Sequence, residues 1–405
     1  MTTLAQPRYF GGQARRLGVF YAASFLVVGI QLPFWPVWLA GRGLDAQAIA
    51  LVFAAAIWAK VIATPVLGAL ADRLGRRRAV MIALAGVACA AYAGLWPVAG
   101  FGALLLLNLV AGVAQSAMMP LGDSVTLAAV RDEGLDYGRI RVWGSVSFIV
   151  ASVGSGAVLA LASPGGRAID IAAGEADNRV LLLVLAASAV LFAATIGIPA
   201  AARPAGIIRS RWGALGELAA DRRFWLFVVS AAALQASHQL YYGFGTLYWR
   251  QLGFSDTVIG MLWAEGVVAE IVLFWYSAPL VRRFGPLGLM ALGGAAGIVR
   301  WSLMGIVPGL AAAAALQLLH ALTFGASHLG AMHWMARCVP PSAAASAQSL
   351  YAALSAGLGS GLVMLAAGAL YTAYGGRAYP FMALLSAAGL CGVLMLVRTS
   401  REAEG

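Results

Sequence analysis

Long apolar runs dominate this chain and limit what it can fold into. Divided at charge clusters and at Gly/Pro turns, they give twelve stretches, which begin near residues 17, 47, 79, 101, 141, 179, 223, 255, 286, 309, 345 and 379. Each is long enough to cross a bilayer core of about 30 Å, which takes roughly 20 apolar residues as a helix. A soluble domain with 61% hydrophobic and only 11% charged residues would expose large apolar patches. The sequence therefore predicts an all-α integral membrane protein with twelve transmembrane helices.

The arginines lie mainly on one side of this predicted topology. With a cytoplasmic N-terminus, the segments on the inside hold 20 arginines and the segments on the outside hold five. Because cytoplasmic loops are enriched in Lys and Arg, we expect a multi-pass protein of the cell (inner) membrane with both termini in the cytoplasm. The same clusters account for the net charge of +11, so this charge does not indicate a nucleic-acid partner.

The two halves of the chain resemble each other at a nearly constant offset. Gly43 and Gly253 occupy matching places in "RGLDAQAI" and "LGFSDTVI", 210 residues apart. The same offset relates "LADRLG" to "LVRRFG", and the motifs "VGSG" and "LGSG" are 205 residues apart. Agreement in order and spacing indicates an internal duplication. We therefore expect two pseudo-symmetric six-helix bundles, residues 1–201 and 223–405, joined by a cytoplasmic linker at 202–222.

The segment "GALADRLGRRR" (Gly68–Arg78) lies between the predicted second and third helices. Glycines permit a tight turn, and an acid among arginines can form an ion pair that breaks when helices move. The segment resembles the cytoplasmic loop signature of the major facilitator superfamily, which implies the major facilitator fold. On that basis we expect a conformational latch formed by Gly68, Asp72, Arg73, Gly75 and Arg76. The alternative is an ordinary positively charged loop, and the second half has Arg282 in place of Asp72.

Six charged residues lie within the predicted helices or at their margins. A charge near the middle of a bilayer costs about 2.5 kcal/mol or more, so such residues usually face a polar cavity and mark a pathway. Three cations and three anions could largely neutralise each other in one cavity, although purely structural pairing stays open for any single residue. The six residues are Lys60, Asp123, Arg141, Glu265, Glu270 and Arg300.

Two of these acids, Glu265 and Glu270, are five residues apart and therefore about 140° apart around a helix. A narrow cavity would contact one of them better than the other. A carboxyl group in a poorly solvated cavity binds a proton more readily, and a nearby arginine opposes this. We expect Glu270, beside Arg300, to carry a proton, with Glu265 as a second wall of the cavity.

Histidines in the predicted tenth helix could relay protons. His320 and His328 are separated by about 80° around that helix, so they can share a face. Histidine titrates near neutral pH, although a membrane histidine is often only a hydrogen-bond donor between helices. No acid or cysteine joins them at ligand spacing, so neither a metal nor a cofactor is expected.

Aromatic residues near prolines and glycines could line a substrate site. Trp35 lies in "QLPFWPVWL", and His238 and Tyr242 lie in "ASHQLYYGFGTLYW". A substrate ring could stack on these side chains. The alternative is an interfacial belt, which is the usual place of aromatics near the ends of spans.

The segment "YGRIRVWGS" is similar to part of the lactose-permease type of proton symporters. That family has an acid 18 residues before the second arginine of this motif, and the resemblance implies that both belong to the substrate site. Asp123 and Arg141 have this spacing, and Trp143 stands where the family has an aromatic residue.

The same family has a proton-coupling arginine and histidine in its second half, at positions that Arg300 and His320 match. The family's acid three residues after the histidine is replaced by Thr323 in this chain. The coupling scheme of that family therefore does not transfer whole, and another acid such as Glu270 is needed.

Segments throughout the chain, among them "PFWPVWL", "PLGDS", "HQLYYGF" and "LHALTFGASHL", look like those of the phenylpropionate permease subfamily. The match implies import of a small aromatic carboxylate, such as 3-phenylpropionate, by proton symport and alternating access. Lys60 or Arg141 would then bind the carboxylate. Symport of a neutral sugar or nucleoside and export by proton antiport stay open as alternatives.

A membrane enzyme is not expected, because no nucleophile with a base stands at usable spacing. The partners expected are a small-molecule substrate, protons and the lipid bilayer. The proton gradient would supply the energy, and we expect the chain to act as a monomer.

Overall fold

The part of the chain that the structure describes is helical and contains no β-strand. A computed structural model gives the placement of residues 12–161, 178–199, 218, 220–307, 309–340 and 343–402. The helices of the first half are α1 (Gly12–Gly41), α2 (Ala46–Leu74), α3 (Arg77–Gly94), α4 (Phe101–Ser116), α5 (Met118–Glu133), α6 (Tyr137–Leu161) and α7 (Asn178–Gly197).

The second half contains further α-helices and three segments of other helical types. The α-helices are α8 (Arg222–Ala236), α9 (Gln239–Gln251), α10 (Asp256–Trp275), α11 (Ser277–Met304), α12 (Leu310–Leu318), α13 (Ser327–Cys338), α14 (Ala344–Tyr351), α15 (Ser360–Tyr374) and α16 (Tyr379–Glu402). Two π-helices cover Ala321–Ala326 and Ala352–Gly359, and a 3₁₀-helix covers Gly375–Ala378.

Ten regions of the described chain are long and apolar enough to cross a bilayer. One of them, Ser346–Thr399, contains both the predicted eleventh and the predicted twelfth span. The predicted seventh span is the pair α8 and α9, which have 15 and 13 residues and are each too short to cross alone. Apart from the ninth, the helices begin within five residues of the predicted positions. The predicted all-α membrane fold is confirmed.

The predicted ninth helix begins earlier than expected. The prediction placed its start near residue 286, whereas α11 begins at Ser277. Inside α11, Gly285 has φ 67° and ψ 172°, which interrupts the helix immediately before Pro286. Glycine adopts this conformation without a Cβ clash, and proline suits the first position of a helix. The position that the sequence predicted as the start of the ninth helix is therefore a kink inside α11.

The first, fourth, seventh and tenth spans each carry an irregularity. Pro33 and Pro36 lie inside α1, and Ala117 separates α4 from α5. His238 lies in the break between α8 and α9, where its Nδ1 is 3.2 Å from two carbonyl oxygens in the last turn of α8. The tenth span contains the π-helix Ala321–Ala326. Such interruptions of the backbone hydrogen bonds are frequent at functional sites.

Packing divides the chain into two compact units. The first unit comprises residues 1–44, 59–207 and 255–261, and the second comprises residues 45–58, 208–254 and 262–405. Each unit thus takes in a short piece of the sequence of the other half. The predicted linker at 202–222 lies mostly outside the described residues.

Small residues bring helices together within the first unit. A Cβ on Gly29 of α1 would lie 2.7 Å from the Cβ of Ala151 on α6. A Cβ on Gly156 of α6, or on Gly260 of α10, would lie 2.2 Å from a backbone oxygen of the opposite helix. These distances are too short for any side chain, so glycine permits the contacts of α6 with α1 and with the start of α10.

A buried cluster of aromatic and aliphatic side chains lies in the second unit. Phe227 of α8 stacks on Trp334 of α13, with ring centroids 4.0 Å apart. Both residues belong to a buried apolar cluster that also includes Met290 of α11 and Val393 of α16. Four spans therefore meet at one core in this unit.

Matching turns recur in the two halves. Gly43 and Gly253 have φ values of 84° and 83°, and Gly75 and Gly285 have φ values of 61° and 67°. Both pairs are 210 residues apart in the sequence. Positive φ values are rarely adopted by other residues. The same glycine turns therefore occur in both halves, as an internal duplication predicts.

Candidate functional site

A chain of hydrogen bonds joins α10, α11 and the start of the π-helix within the second unit. Nε2 of His320 is 2.7 Å from Oε1 of Glu270 on α10. Nδ1 of the same imidazole is 2.8 Å from Nη1 of Arg300 on α11. Arg300 is fully buried, and the side chains of His320 and Glu270 are only 8% and 15% exposed. The sequence predicted these three residues as a proton-coupling group, and the structure brings them together.

The direction of these hydrogen bonds follows from the chemistry of the groups. Arginine can only donate, so Nδ1 of His320 accepts from Arg300. A neutral imidazole has one acceptor and one donor nitrogen, so Nε2 carries the hydrogen and donates to Glu270. A second proton on His320 would face the guanidinium and break that contact. Glu270 is thus the member of this trio that can gain a proton without losing a hydrogen bond.

Further polar groups surround the guanidinium of Arg300. Nη1 donates to Oγ1 of Thr323 at 3.0 Å, and Nη2 donates to Oε1 of Gln317. The amide of Gln317 in turn donates to the hydroxyl of Tyr241 at 2.8 Å. The guanidinium carbon also lies 4.9 Å from the ring centroid of Tyr241 and 4.5 Å from that of Trp301. Buried in this way, the cation keeps hydrogen bonds and aromatic faces in place of water.

Two predicted aromatic binding residues belong to the same neighbourhood. Nε2 of His238 is 3.1 Å from Oγ1 of Thr323, which connects it to Arg300 through that hydroxyl. The rings of His238 and Tyr242 stack with centroids 5.8 Å apart. His238 is fully buried, whereas Tyr242 is partly exposed. Tyr242 is therefore the more accessible of the pair.

The position of the His320 ring is fixed from two sides. A Cβ on Gly266 would lie 3.3 Å from Cδ2 of His320, so a larger residue would push on the imidazole. On the tenth span, the ring of Phe324 stacks on His320 at 5.6 Å and on His328 at 6.0 Å. The π-helix between these residues brings three rings spaced four residues apart into one stack. His328 therefore joins the network by ring contact.

Glu265 stands apart from these contacts. It lies on α10, and its side chain is partly exposed. The hydrogen bonds and ion pairs of the described chain do not include it. A mid-span carboxylate with no partner among the described residues is most stable near water or a ligand, so Glu265 stays a candidate for a cavity wall.

The first unit contains a second network, around Asp123. Oδ1 of Asp123 accepts hydrogen bonds from the hydroxyls of Tyr21 at 2.5 Å and Tyr137 at 3.1 Å. The guanidinium carbon of Arg141 lies 5.4 Å from the ring centroid of Tyr21 and 4.2 Å from that of Phe25. Asp123 and Arg141 therefore share Tyr21 as a neighbour, and the cation stacks on aromatic faces. Both remain partly exposed.

Two other predicted residues of the first unit lie elsewhere. Trp143 is 56% exposed, and its ring lies against Gly18 of α1. Lys60 lies near the middle of α2, and its side chain is exposed. No carboxylate pairs with Lys60 among the residues that the structure describes. A charged lysine at this depth is costly unless its ammonium is solvated or meets an anion.

Sequence reasoning missed a neutral hydrogen-bond network in the first unit. The side-chain amide of Gln31 donates to the hydroxyl of Tyr92 at 2.5 Å, and this hydroxyl donates to Gln115 at 3.1 Å. Nε1 of Trp35 donates to Oδ1 of Asn108 at 2.8 Å. Trp35, which was predicted to stack on a substrate, is 4% exposed. The sequence feature that could have indicated this network is a side-chain amide inside an apolar run, as at Gln31, Asn108 and Gln115.

The loop predicted as a latch contains an ion pair with a partner that was not predicted. Asp72 contacts Nη2 of Arg77 at 2.7 Å and Nε at 2.9 Å. Arg73 and Arg76 are exposed, and neither is paired with Asp72. Gly75 supplies the left-handed turn that returns the chain to α3. Gly68 lies one turn before Asp72 with open space around it.

The chain matches a described family over most of its length. A family model described as "MFS_1 like family" matches residues 14–383. A protein of Escherichia coli (strain K12) named "Probable 3-phenylpropionic acid transporter" is 30% identical over 376 residues, which cover 92% of this chain and 95% of that protein. The "Maltose permease" of Geobacillus stearothermophilus is 27% identical over 403 residues, which cover 97% and 98%.

A solved structure shares the fold. The crystal structure of the nucleoside transporter NupG matches with a TM-score of 0.79 at 18% sequence identity, covering 95% of this chain and 99% of that chain. At this level of identity the likeness concerns the arrangement of the helices. The substrates of these three proteins are an aromatic acid, a sugar and a nucleoside by their names, so similarity alone does not select among them.

Proposed function

The chain belongs to the MFS_1-like family of the major facilitator superfamily, and from this premise we propose that it is a proton-coupled symporter that imports a small organic anion. The favoured substrate class is an aromatic carboxylate such as 3-phenylpropionate. Transport would proceed by alternating access in the cell (inner) membrane with both termini in the cytoplasm. The proposal includes neither catalysis nor a cofactor, and it treats the monomer as the working unit.

The hydrogen-bonded trio of Glu270, His320 and Arg300 carries the proposal. With His320 neutral, an ionised Glu270 balances the buried charge of Arg300. A proton on Glu270 removes this balance and leaves the trio with one net positive charge. Such a charge in a poorly solvated site is costly unless an anion arrives or the group rearranges. Proton binding and anion binding would therefore favour each other.

Lys60 supports an anionic substrate independently. It lies near the middle of a long apolar helix, and a carboxylate ligand would supply a counter-charge for its ammonium. Arg141 offers a second cation in the same unit, with a planar guanidinium already oriented by Phe25. The aromatic body of the substrate would meet side chains of the same unit such as Phe25, which is partly exposed and suited to ring contacts.

A neutral sugar or nucleoside is the second candidate. The observation that favours it is the uncharged network of Gln31, Tyr92 and Gln115, because amides and hydroxyls suit the hydroxyls of such substrates. In this case Asp123 would also accept hydrogen bonds from substrate hydroxyls. The names of two similar proteins, a maltose permease and a nucleoside transporter, agree with this reading.

Uptake into proteoliposomes tests the proposal. The purified chain would be reconstituted and supplied with radiolabelled 3-phenylpropionate, maltose or uridine, with and without an inward proton gradient. We expect accumulation of the acid above its external concentration, driven by the gradient and abolished by a protonophore. Liposomes without protein control for passive entry of the protonated acid.

Other outcomes would change the proposal in defined ways. Gradient-driven uptake of maltose or uridine without uptake of the acid would move the substrate to the neutral class. Efflux of the acid driven by an inward proton gradient would indicate antiport and export. Equal uptake of the acid with and without the gradient would remove proton coupling.

A further inference from the structure

A groove in the first unit lies at the N-terminal end of α1, beside α6. It has a volume of about 480 Å³, within the range of pockets that hold small organic ligands. Its floor is formed by Gly18 and Ala22 of α1, and its walls include Val19 and Trp143. Val19 is 50% exposed and Trp143 is 56% exposed. The lining is thus largely apolar and open.

Two arginines lie at the mouth of this groove. Arg15 of α1 and Arg139 of α6 are both exposed and belong to the lining. Arg139 also contacts Asp136 at 3.6 Å, and both of these side chains remain about half exposed or more, at 67% and 47%. The groove therefore combines an apolar trough with a cationic mouth.

We propose that this groove binds an anionic phospholipid, with the phosphate between Arg15 and Arg139 and an acyl chain along Val19 and Trp143. Both helices that form it are long and apolar enough to cross a bilayer, so an exposed apolar groove on them suits an acyl chain. Basic residues at a helix end attract anionic headgroups. Tryptophan is favoured at the depth of the headgroups, where its ring bridges apolar and polar surroundings. The proposal goes beyond the transport function and does not depend on the transported substrate.

The charge arrangement favours a lipid over an uncharged detergent or a peptide. A phosphodiester supplies one negative charge and acceptor oxygens for the two arginines, and the attached chain supplies the apolar surface. A zwitterionic lipid offers the same chain but adds a cation close to the arginines. The structure therefore predicts selectivity for headgroup charge as well as binding.

Native mass spectrometry of the full chain tests the proposal. The purified, delipidated protein would be titrated with dioleoylphosphatidylglycerol or dioleoylphosphatidylcholine. We expect one tightly held phosphatidylglycerol. Each of Arg15→Gln and Arg139→Gln should weaken it about fivefold, which corresponds to about 1 kcal/mol for each basic residue near a headgroup. The double variant should weaken it about 25-fold on the same basis.

Arg16→Gln is the matched control. Arg16 is exposed one residue further along α1 but does not line the groove. Its loss should change phosphatidylglycerol affinity less than twofold, as an estimate for a charge outside the contact. Equal losses for Arg16→Gln and Arg15→Gln would overturn the site in favour of a diffuse attraction. Equal affinity for phosphatidylcholine would overturn the role of charge.

A pair of bulky substitutions tests the apolar trough. Val19→Trp would fill the groove, whereas Val28→Trp would enlarge an exposed residue elsewhere on α1. Only Val19→Trp should displace the lipid, with both variants melting near the temperature of the native chain. Lipid retention by a folded Val19→Trp chain would overturn the acyl-chain placement. Displacement of phosphatidylglycerol by 3-phenylpropionate would assign the groove to the transported acid instead.

Discussion

At the scale of single residues, the imidazole of His320 decides where a proton can be held. Its Nδ1 accepts from Arg300 and its Nε2 faces Glu270. Because arginine never accepts a hydrogen bond, this arrangement leaves protonation to the carboxyl group. The histidine therefore contacts the acid with one ring nitrogen and the guanidinium with the other.

Glu270→Gln should abolish uphill transport while preserving exchange. Glutamine keeps an oxygen for the hydrogen bond from His320 but cannot exchange a proton, so it imitates the protonated acid. Without coupling, the accumulation ratio should fall to about one. Counterflow of labelled substrate in proteoliposomes would measure exchange separately. Accumulation equal to that of the native chain would exclude Glu270 as the proton site.

Lys60→Gln should weaken uptake of an anion by about tenfold or more, the loss of one charge-assisted hydrogen bond. Lys60→Arg keeps the charge and should retain part of the activity. Uptake of maltose or uridine by the same variants provides the contrast, because a neutral substrate does not need the cation. Unchanged uptake of the acid by a folded Lys60→Gln protein would contradict the proposed anion contact.

Gly266→Ala should disturb the trio through the position of one ring. The added Cβ would lie 3.3 Å from Cδ2 of His320, which requires the imidazole to move by a few tenths of an ångström. We expect a loss of stability of about 1 kcal/mol and reduced proton-driven accumulation. Gly154→Ala is the control, since a Cβ there meets nothing within 4 Å. Equal transport by the two variants would show that this ring position is not important.

The sequence revealed charged residues more readily than their neutral partners. Glu270 and Arg300 could be predicted because a charge inside an apolar run has few structural uses. Gln317 could not, because a single amide is common in helices and only the fold brings it to Arg300. The partner of Asp72 was missed for a related reason: several arginines follow it, and the turn at Gly75 selects Arg77.

At the scale of helices, irregular segments place the functional side chains. The π-helix Ala321–Ala326 follows His320 directly and contains Thr323, while His238 occupies the break between α8 and α9. Sequence patterns predicted one continuous helix in each case, because apolar periodicity does not report an extra residue in a turn. Only the three-dimensional structure shows where each of these helices is interrupted.

Gly260→Ala should destabilise the first unit by about 1–3 kcal/mol, because its Cβ would lie 2.2 Å from the backbone oxygen of Ser152 and force α6 and α10 apart. Gly156→Ala, on the facing helix, should cost a similar amount. Thermal melting in detergent measures both, with Gly154→Ala on α6 as the control. Melting of all three variants at the native temperature would argue against close contact.

Asp72→Asn should slow turnover and leave substrate affinity largely intact, as expected for a latch remote from the binding groups. Arg77→Gln breaks the same ion pair and should slow turnover to a similar extent. Arg73→Gln removes an exposed neighbouring charge and should have a smaller effect. Turnover and binding would be measured by transport assays and by calorimetry. A larger effect of Arg73→Gln would assign the latch to a different pair.

At the scale of the whole molecule, a repeated scaffold carries chemistry that is not repeated. The first unit has an acid held by two tyrosine hydroxyls, whereas the second has a buried guanidinium, an imidazole and a carboxyl group. The number and order of the helices could be predicted, because apolar length and turn signals suffice for them. The packing units also take in residues of the other half of the sequence, namely residues 45–58 and 255–261.

The paired glycine turns also bear on the internal duplication of the sequence. Gly43 with Gly253, and Gly75 with Gly285, keep the same sign and nearly the same size of φ across 210 residues. Neighbouring residues differ between the two halves, but a non-glycine at any of these four points would strain the backbone. The four glycines therefore keep the trace of an internal duplication at positions where the backbone conformation itself selects the residue.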